Sequence, residues 1–146
     1  MKVVITGGTG FVGLNIAGAL LQRNTLTGPS GEQQPIDEMV LFDAAVPDER
    51  PAGRVARVTS VSGDIALLLA VHDLIDRDDI AVFHLASILS GGGERDFDLA
   101  MQVNLTGGLN VLEALREREG TPRLVFASTQ AVFGGPGMPA EVRDET

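Results

Sequence analysis

Three glycines spaced three residues apart, Gly7, Gly10 and Gly13, stand close to the amino end of the chain. They follow a β-branched run, Lys2–Thr6, and lead directly into apolar residues that recur at helical spacing over positions 11–21. A strand, a glycine turn and a helix in this order form the opening of a βαβ unit. The turn therefore constrains the chain to an α/β fold built on a parallel sheet.

Each of the three glycines has a role if the turn binds a phosphate. Gly7 permits the tight turn, Gly10 leaves out the Cβ that would keep a phosphate away, and Gly13 lets the helix pack closely on the strand. The free N–H groups of Phe11 and Val12 would then meet the anion at the positive end of the helix dipole. The pattern predicts a site for the pyrophosphate of a dinucleotide, with a plain strand–helix turn as the alternative.

The rest of the chain alternates apolar strands with helices, as a parallel sheet requires. We expect an α/β, doubly wound parallel sheet of the Rossmann type, with strand order 3-2-1-4-5 and a switch point between the first and fourth strands. The fourth and fifth strands are expected to be buried because their apolar character is continuous. The further predicted strands cover residues 39–42, 55–61, 80–86 and 124–127, and the further predicted helices cover 65–75 and 94–119.

Two segments carry signals of their own. Residues 25–37 are rich in Gly, Pro, Ser and Gln, which favours a surface loop. Three glycines at 91–93 are expected to break the chain before the long helix at 94–119. That helix carries one apolar stripe at helical spacing, formed by Phe97, Met101, Leu105, Leu109 and Leu112.

The chain ends soon after its fifth predicted strand, where a doubly wound dinucleotide domain usually adds a sixth. A fifth strand at the edge of the sheet would expose an apolar face and unpaired backbone groups. We therefore expect residues 1–146 to form one dinucleotide-binding domain that is the N-terminal part of a longer protein.

The composition argues against several classes of partner. Twenty acidic against eleven basic residues give a net charge of −9, whereas nucleic acids are bound by clustered Lys and Arg. No apolar run approaches the ~20 residues that span a bilayer, which argues against a membrane partner. The lack of cysteine excludes disulfides and thiolate metal sites and fits a cytoplasmic location. Neither His72 nor His84 has a second ligand at metal-binding spacing, so we expect no metal.

Two aspartates, Asp43 and Asp64, stand near the predicted ends of the second and third strands. The carboxylate of Asp43 can accept both ribose hydroxyls of an adenosine, and the residues after it, Ala44 and Ala45, offer no arginine for a 2′-phosphate. NAD is therefore favoured over NADP. The alternative for Asp43 is a solvated strand end. Asp64 can reach an adenine amino group, cap the helix that begins at Ile65, or do both.

Other polar residues lie at positions where chemistry is plausible. Asn104 is expected on the apolar side of the long helix, as a buried amide that bonds backbone or water. Ser128 and Thr129 follow the fifth strand, where open α/β sheets bind ligands, and their hydroxyls either orient a substrate or simply end the strand. His84 is expected to be a strand histidine with satisfied nitrogens, and His72 an exposed helix residue.

Five motifs taken together resemble those of the extended short-chain dehydrogenase/reductase family, which includes the NAD-dependent epimerases and dehydratases. They cover nearly the whole chain, at residues 6–13, 63–65, 84–87, 104–113 and 128–134. Three further stretches resemble the D-erythronate dehydrogenases of that family: 26–29 with 39–44, 90–94 with 96–98, and 131–139.

The resemblance implies an NAD-dependent oxidoreductase that oxidises the secondary hydroxyl of a sugar acid by hydride transfer to NAD. It places the catalytic hydroxyl on Thr129, five positions before Gly134, with Ser128 beside it as a substrate contact. Asn104 matches the position that organises the family's catalytic lysine and its water. The implied cofactor-binding set is Gly7, Gly10, Phe11, Val12, Gly13, Asp43, Asp64, Ile65, Leu85, Ala86, Ser87 and Asn104.

The substrate side of the resemblance is less complete. Ser90 and Glu94 would border the substrate, whereas most substrate contacts in the family come from a C-terminal subdomain. The family's acid/base is the tyrosine of a Tyr-x-x-x-Lys pair, and this sequence has no tyrosine. We therefore expect these residues alone to bind NAD without transferring hydride. The resemblance also implies a homodimer. A nucleotide-sugar epimerase or dehydratase and a non-catalytic dinucleotide sensor are the alternatives.

Overall fold

The computed structural model describes residues 1–45, 58–129 and 132. The helices and strands of these residues form a central sheet with helices packed on its faces. The strands are β1 (Lys2–Thr6), β2 (Thr25–Thr27), β3 (Gln33–Pro35), β4 (Glu38–Asp43), β5 (Val58–Ser62), β6 (Ile80–His84) and β7 (Arg123–Phe126). The helices are α1 (Phe11–Arg23), α2 (Leu68–Leu74), α3 (Ser90–Arg95), α4 (Phe97–Met101) and α5 (Gly107–Arg116), with a π-helix at Gln102–Thr106 between the last two.

The sheet has the predicted topology. Its five strands are all parallel and run in the order β5-β4-β1-β6-β7, which confirms the order 3-2-1-4-5. β1 is central, and its last residue, Thr6, stands opposite Phe42 of β4 and His84 of β6. The carboxyl ends of these three strands therefore meet at one edge, at the switch point where such sheets bind ligands.

The strands bury side chains on both faces of the sheet. Val4 and Val82 pack on one face in a cluster with residues of α2 and α5. Val3 and Ile5 pack on the other face in a cluster with residues of α1. Successive residues of a strand point to opposite faces, so one short apolar strand contributes to both cores. The two cores hold the ends of β1, β4 and β6 in fixed positions.

The prediction of a surface loop at 25–37 is wrong. β2 and β3 form an antiparallel hairpin, with Leu26 opposite Gln34, and Gly31 has a φ of +87° between them. Leu26 and the buried Ile36 pack into the α1 cluster, which ties the hairpin to the core. The polar and glycine-rich composition conceals this pattern because only two apolar residues anchor the segment.

The prediction of a single helix at 94–119 is also wrong. The helical region begins earlier, at Ser90, so the glycines at 91–93 lie inside α3 rather than breaking the chain. It is interrupted at Asp96, whose carboxylate accepts a hydrogen bond from Leu99 N at 2.9 Å and caps α4. After the π-helical turn, α5 ends at Arg116.

The apolar stripe of this region faces away from the core. α5 is buried through a different face, on which Val111 and Leu115 pack into the core and small residues let the helix approach the sheet closely. The buried residues of that face are Gly107, Gly108, Val111, Ala114 and Leu115. The stripe residues are exposed instead: Phe97 by 69%, Met101 by 41%, Leu105 by 50%, Leu109 by 55% and Leu112 by 49%.

Several element boundaries differ from the predictions. The helix predicted at 65–75 begins only at Leu68, the strand predicted at 80–86 ends at His84, and part of the strand predicted at 55–61 lies outside the described residues. β7 is an edge strand with Val125 and Phe126 half exposed, so the expectation of a buried fifth strand is wrong. No helix among the described residues is long and apolar enough to cross a bilayer.

Gly13 and Gly18 offer a matched test of the packing, since both lie in α1. A Cβ on Gly13 would lie 2.4 Å from Gly7 O, whereas a Cβ on Gly18 would meet nothing within 4 Å. We expect Gly13→Ala to lower the free energy of unfolding by about 1–3 kcal/mol, the range for overpacking. Gly18→Ala should raise it by about 0.5–1 kcal/mol, because alanine favours a helix more than glycine does. Urea unfolding followed by circular dichroism measures both; equal stability of Gly13→Ala and the parent would contradict the close contact.

Candidate functional site

A cleft of about 630 Å³ lies at the carboxyl ends of the central strands. It is bounded by the glycine turn after β1, the end of β4, the turn after β5 and the loop after β6. The structure brings together in this cleft eight of the residues that the sequence singled out: Gly7, Gly10, Asp43, Asp64, Ile65, Leu85, Ala86 and Ser87.

The glycine turn fits against its neighbours without space for side chains. Gly7 has a φ of +66°, and a Cβ there would lie 2.9 Å from Ala86 N. Gly8, which the sequence analysis did not single out, is equally constrained, since a Cβ there would lie 2.5 Å from Ile5 O. Gly13 packs against this turn rather than against the strand itself. The amide of Gly8 donates to Phe42 O at 3.1 Å and joins the turn to β4.

The start of α1 presents unpaired amides at the cleft. Gly10 precedes the helix in an extended conformation, with no side-chain cap, and a Cβ there would meet only Gly7 O, at 3.3 Å. Within the described parts of the chain, the N–H groups of Phe11 and Val12 have no hydrogen-bond acceptor. Two free amides at a helix N-terminus, above a residue without a side chain, can bind an anion.

Asp43 ends β4 beside this turn. Its Oδ2 accepts hydrogen bonds from the Thr9 hydroxyl at 2.7 Å and from Thr9 N at 3.1 Å, while Oδ1 accepts from Ala44 N at 2.9 Å. Asp43 is therefore held by the glycine turn and is not a freely solvated strand end. Its carboxylate lines the cleft next to Gly10 and Asp64.

Asp64 and Ile65 form the far wall of the cleft. Asp64 Oδ1 accepts from Ala66 N at 2.9 Å and caps a turn; α2 begins later, so the expectation that Asp64 caps the helix is wrong. Ile65 is buried and lines the cleft. Asn110, which the sequence analysis missed, donates to Ile65 O at 3.1 Å and to Ala66 O at 2.9 Å. Its place within an ordinary helical pattern gave no signal of this role.

Asn104 is exposed, so the expectation of a buried amide is wrong. The expected backbone partner exists: Asn104 Oδ1 accepts from Ile88 N at 2.7 Å, and Nδ2 donates to Ile88 O at 3.0 Å. Asn104 lies in the π-helix, and this two-point contact fixes the loop that follows β6. The side chain thereby connects the cleft to the helical region.

The residues expected near a substrate do not all lie in one cavity. Ser90, Glu94 and Asn104 line a second cavity of about 600 Å³, which shares Ile88 with the first cleft. Ser128 and Thr129 follow β7, are exposed, and line neither of these two cavities. Gly134, from which the position of Thr129 was counted, lies outside the described residues.

His84 and Thr6 are buried together at the sheet edge. His84 Nδ1 lies 2.8 Å from Thr6 Oγ1, and burial lowers the pKa of the imidazole below its ordinary value. His72 is not fully exposed as expected: its side chain is partly covered, with Nδ1 3.4 Å from Glu117 Oε2. In residues 1–45 and 58–129, no three His, Asp or Glu side chains converge as metal ligands would.

A nucleotide-sized cleft at the switch point of a doubly wound sheet defines a dinucleotide-binding class of α/β protein. The family model of the NAD dependent epimerase/dehydratase family matches residues 3–146. The chain belongs to that family.

Two curated relatives of the chain are named D-erythronate dehydrogenase. The chain is 44% identical over 146 residues to a D-erythronate dehydrogenase of Cupriavidus necator, and 34% identical over 149 residues to one of Haemophilus influenzae. All of this chain is covered in both comparisons, but only 44% and 43% of the two relatives. The chain thus spans less than half the length of these relatives.

Solved structures agree with the family. A nucleoside-diphosphate-sugar epimerase from Agrobacterium tumefaciens matches all of this chain and 42% of its own, with a TM-score of 0.84 and 33% identity. A uronate dehydrogenase variant from the same species, complexed with NAD, matches 88% of this chain and 40% of its own, with a TM-score of 0.65 and 28% identity.

Proposed function

We propose that this chain is the NAD-binding portion of a dehydrogenase that oxidises the secondary hydroxyl of a D-erythronate-like sugar acid. One observation carries the NAD-binding part: Gly10 and Asp43 line a single cleft, and the free amides of Phe11 and Val12 directly follow Gly10. Two relatives named D-erythronate dehydrogenase, at 44% and 34% identity, support the choice of substrate class.

The cleft fits a dinucleotide along its length. The pyrophosphate would be held over Gly10 by the Phe11 and Val12 amides, and the adenosine ribose by Asp43. Asp64 and Ile65 would contact the adenine, and the nicotinamide half would pass the loop formed by Leu85, Ala86 and Ser87. The residues after Asp43 are Ala44 and Ala45, which have no positive charge to bind the 2′-phosphate of NADP. NAD is therefore favoured over NADP. When bound, NAD supplies the acceptor of the hydride.

The roles of Thr129, Ser128 and Asn104 are proposed from their positions in the family motifs. Thr129 would contact the reacting hydroxyl, with Ser128 beside it, and Asn104 would act through the loop it holds at Ile88. The sequence has no tyrosine, so these residues alone lack the family's acid/base. We propose that they form the dinucleotide-binding domain of the enzyme and that acid/base chemistry and most substrate contacts come from a C-terminal subdomain.

A nucleotide-sugar epimerase or dehydratase is the second candidate. Its support is the TM-score of 0.84 to a solved nucleoside-diphosphate-sugar epimerase; because both classes use the same cofactor site, this match does not separate them. A non-catalytic dinucleotide sensor would also keep this cleft. The three functions differ in what they turn over, while NAD binding is common to all of them.

The phosphate site is tested by Gly10→Val. A Cβ at this position would meet only Gly7 O, at 3.3 Å, and the branched valine side chain would fill the space proposed for the phosphates, so we expect a folded variant without measurable NAD binding. Isothermal calorimetry measures the affinity, and Gly18→Ala, on the open side of the same helix, is the control that should bind as the parent does. Unchanged affinity of Gly10→Val would contradict the assignment of the phosphate turn.

The substrate class is tested in the complete protein by following NADH formation. We expect NADH to appear with NAD and D-erythronate and not with UDP-sugars, because oxidation of a free sugar acid leaves the cofactor reduced. Interconversion of UDP-sugars without net NADH would identify the epimerase instead. NAD binding with no turnover of either substrate would identify the sensor.

We also propose that the protein is a homodimer joined through its apolar stripe (Phe97, Met101, Leu105, Leu109 and Leu112). All five side chains are exposed and neighbouring, and a contiguous apolar surface of this kind marks an interface. These 146 residues carry a net charge of −9, so two copies repel each other, and an uncharged contact adds least to that repulsion. The stripe provides that contact on α4, the π-helix and α5.

The dimer is tested by Leu109→Glu, which places a charge in the middle of the stripe. We expect sedimentation to change from a dimer to a monomer, because a buried unpaired carboxylate opposes association. Leu14→Glu, an equally drastic change at an exposed leucine of α1 on the opposite face of the sheet, should leave the dimer intact. A parent protein that sediments as a monomer would refute the proposal.

A further inference from the structure

The hydroxyl of Thr6 is at the centre of a buried hydrogen-bond cluster that the proposed chemistry does not use. Thr6 is fully buried, and its Oγ1 lies 2.8 Å from His84 Nδ1, 3.2 Å from Leu85 N and 3.3 Å from Ala86 N. Leu85 N also donates to the carbonyl of Thr6 at 3.1 Å, so this amide is shared between two acceptors. One side chain thus joins the end of β1 to the start of the loop after β6.

The donors and acceptors of this cluster can be assigned. A hydroxyl has one proton and two lone pairs, and a backbone amide can only donate. The amides of Leu85 and Ala86 both lie within hydrogen-bond distance of Thr6 Oγ1, and the arrangement in which both donate to it directs the hydroxyl proton to His84 Nδ1. Nδ1 must therefore be an unprotonated acceptor, and the ring proton is on Nε2. An imidazolium would direct a second proton at an oxygen whose lone pairs are already used.

The surroundings of the ring are consistent with a neutral imidazole. Thr6 of β1, Phe126 of β7 and Gly108 of α5 lie around it, and none of them is charged. The Phe126 ring centroid is 5.0 Å away, and a Cβ built on Gly108 would lie 3.8 Å from Nε2. Burial of the ring lowers the pKa of His84, which also favours the neutral imidazole.

The cluster also sets the width of the cleft. Ala86 N, held by the Thr6 hydroxyl, is the atom that a Cβ on Gly7 would meet at 2.9 Å. The amide is therefore fixed between the glycine turn and the loop, and Leu85, Ala86 and Ser87 form the cleft wall that continues from it. Moving the Ala86 amide would move this wall relative to the turn.

We propose that Thr6 and His84 are positioning residues: the Thr6 hydroxyl, oriented by the neutral Nε2–H tautomer of His84, fixes the Leu85–Ala86–Ser87 wall against the glycine turn. The tautomer follows from the hydrogen bonds alone, whereas the effect on ligand affinity rests on the proposed function, since the wall borders the nicotinamide half of the NAD site. Neither residue touches the reacting atoms.

The tautomer is read directly from the nitrogen chemical shifts of the imidazoles. The chain has two histidines, so His72→Gln leaves a single ring to observe. We expect His84 to show the neutral Nε2–H tautomer at neutral pH, to keep it in Thr6→Ser, and to lose this preference in Thr6→Val. A Nδ1–H tautomer, a charged ring, or an unchanged tautomer in Thr6→Val would overturn the assignment.

The positioning role is read from NAD affinity by calorimetry. Thr6→Val keeps the volume of the side chain but leaves a buried amide and Nδ1 without partners, so we expect about a tenfold rise in Kd, equal to ~1.4 kcal/mol. Thr6→Ser restores the hydroxyl and should restore the affinity. His84→Asn retains an acceptor near the position of Nδ1, so it should bind NAD more tightly than His84→Leu, which retains none.

The outcomes separate the two proposals. If the parent protein binds no NAD, the proposed function fails, while the tautomer result still decides the hydrogen-bond assignment. If the parent binds NAD and a folded Thr6→Val binds it equally well, the positioning role is refuted. If Thr6→Val does not fold, the histidine pair decides: equal affinities of His84→Asn and His84→Leu would overturn the role, and a tenfold difference would support it.

Discussion

The absence of side chains in the turn after β1 is the constraint on which the rest of the structure depends. Gly7, Gly8 and Gly13 each lie so close to backbone atoms that a Cβ would fall within 3 Å of them. Because these three positions are bare, the end of β1, the start of α1 and the loop after β6 meet at a single point. The helix then begins directly after the cleft residue Gly10, and its first two amides have no acceptor among the described residues.

The parallel sheet converts this local turn into a site. Residues distant in sequence, such as Asp43 and Asp64, reach the same cleft because their strands end at the same edge. The glycine turn holds one of these aspartates directly, because Thr9 donates to Asp43 through both its hydroxyl and its amide. The glycine turn and the end of β4 are therefore joined directly, and in the proposed NAD site they would hold the pyrophosphate and the ribose as one unit.

The parts that sequence reasoning predicted correctly are those governed by strong local signals. Glycine spacing and apolar runs were sufficient for the strand order and for placing Gly7, Gly10, Asp43 and Asp64 at the cleft. The other expected cleft residues, Ile65 and Leu85 to Ser87, came from the family resemblance. The wrong predictions come from sequence patterns that are compatible with two different structures. An apolar stripe at helical spacing normally faces the core, yet α5 packs on the core through the face that carries Val111, Ala114 and Leu115, and the stripe remains exposed. Residues 25–37 were wrongly predicted as a loop from their polar, glycine-rich composition. They form a hairpin because two apolar residues, Leu26 and Ile36, pack into the core.

Buried polar side chains were only partly predictable from the sequence. His84 was expected as a strand histidine with satisfied nitrogens, but a strand pattern does not show its partner across the sheet, Thr6. In the described portion of the chain the buried polar side chains are Lys2, Thr6 and His84, at the two ends of the central strands. Lys2 bonds Asp76 at 2.7 Å, a carboxylate that remains half exposed, so water shares the charge at the amino edge. At the carboxyl edge Thr6 and His84 are both buried and lie 2.8 Å apart, so loss of either leaves an unsatisfied group in an apolar interior. That difference in solvation is why a buried polar pair affects the geometry of the cleft, while the ion pair at the opposite edge serves to anchor the strand.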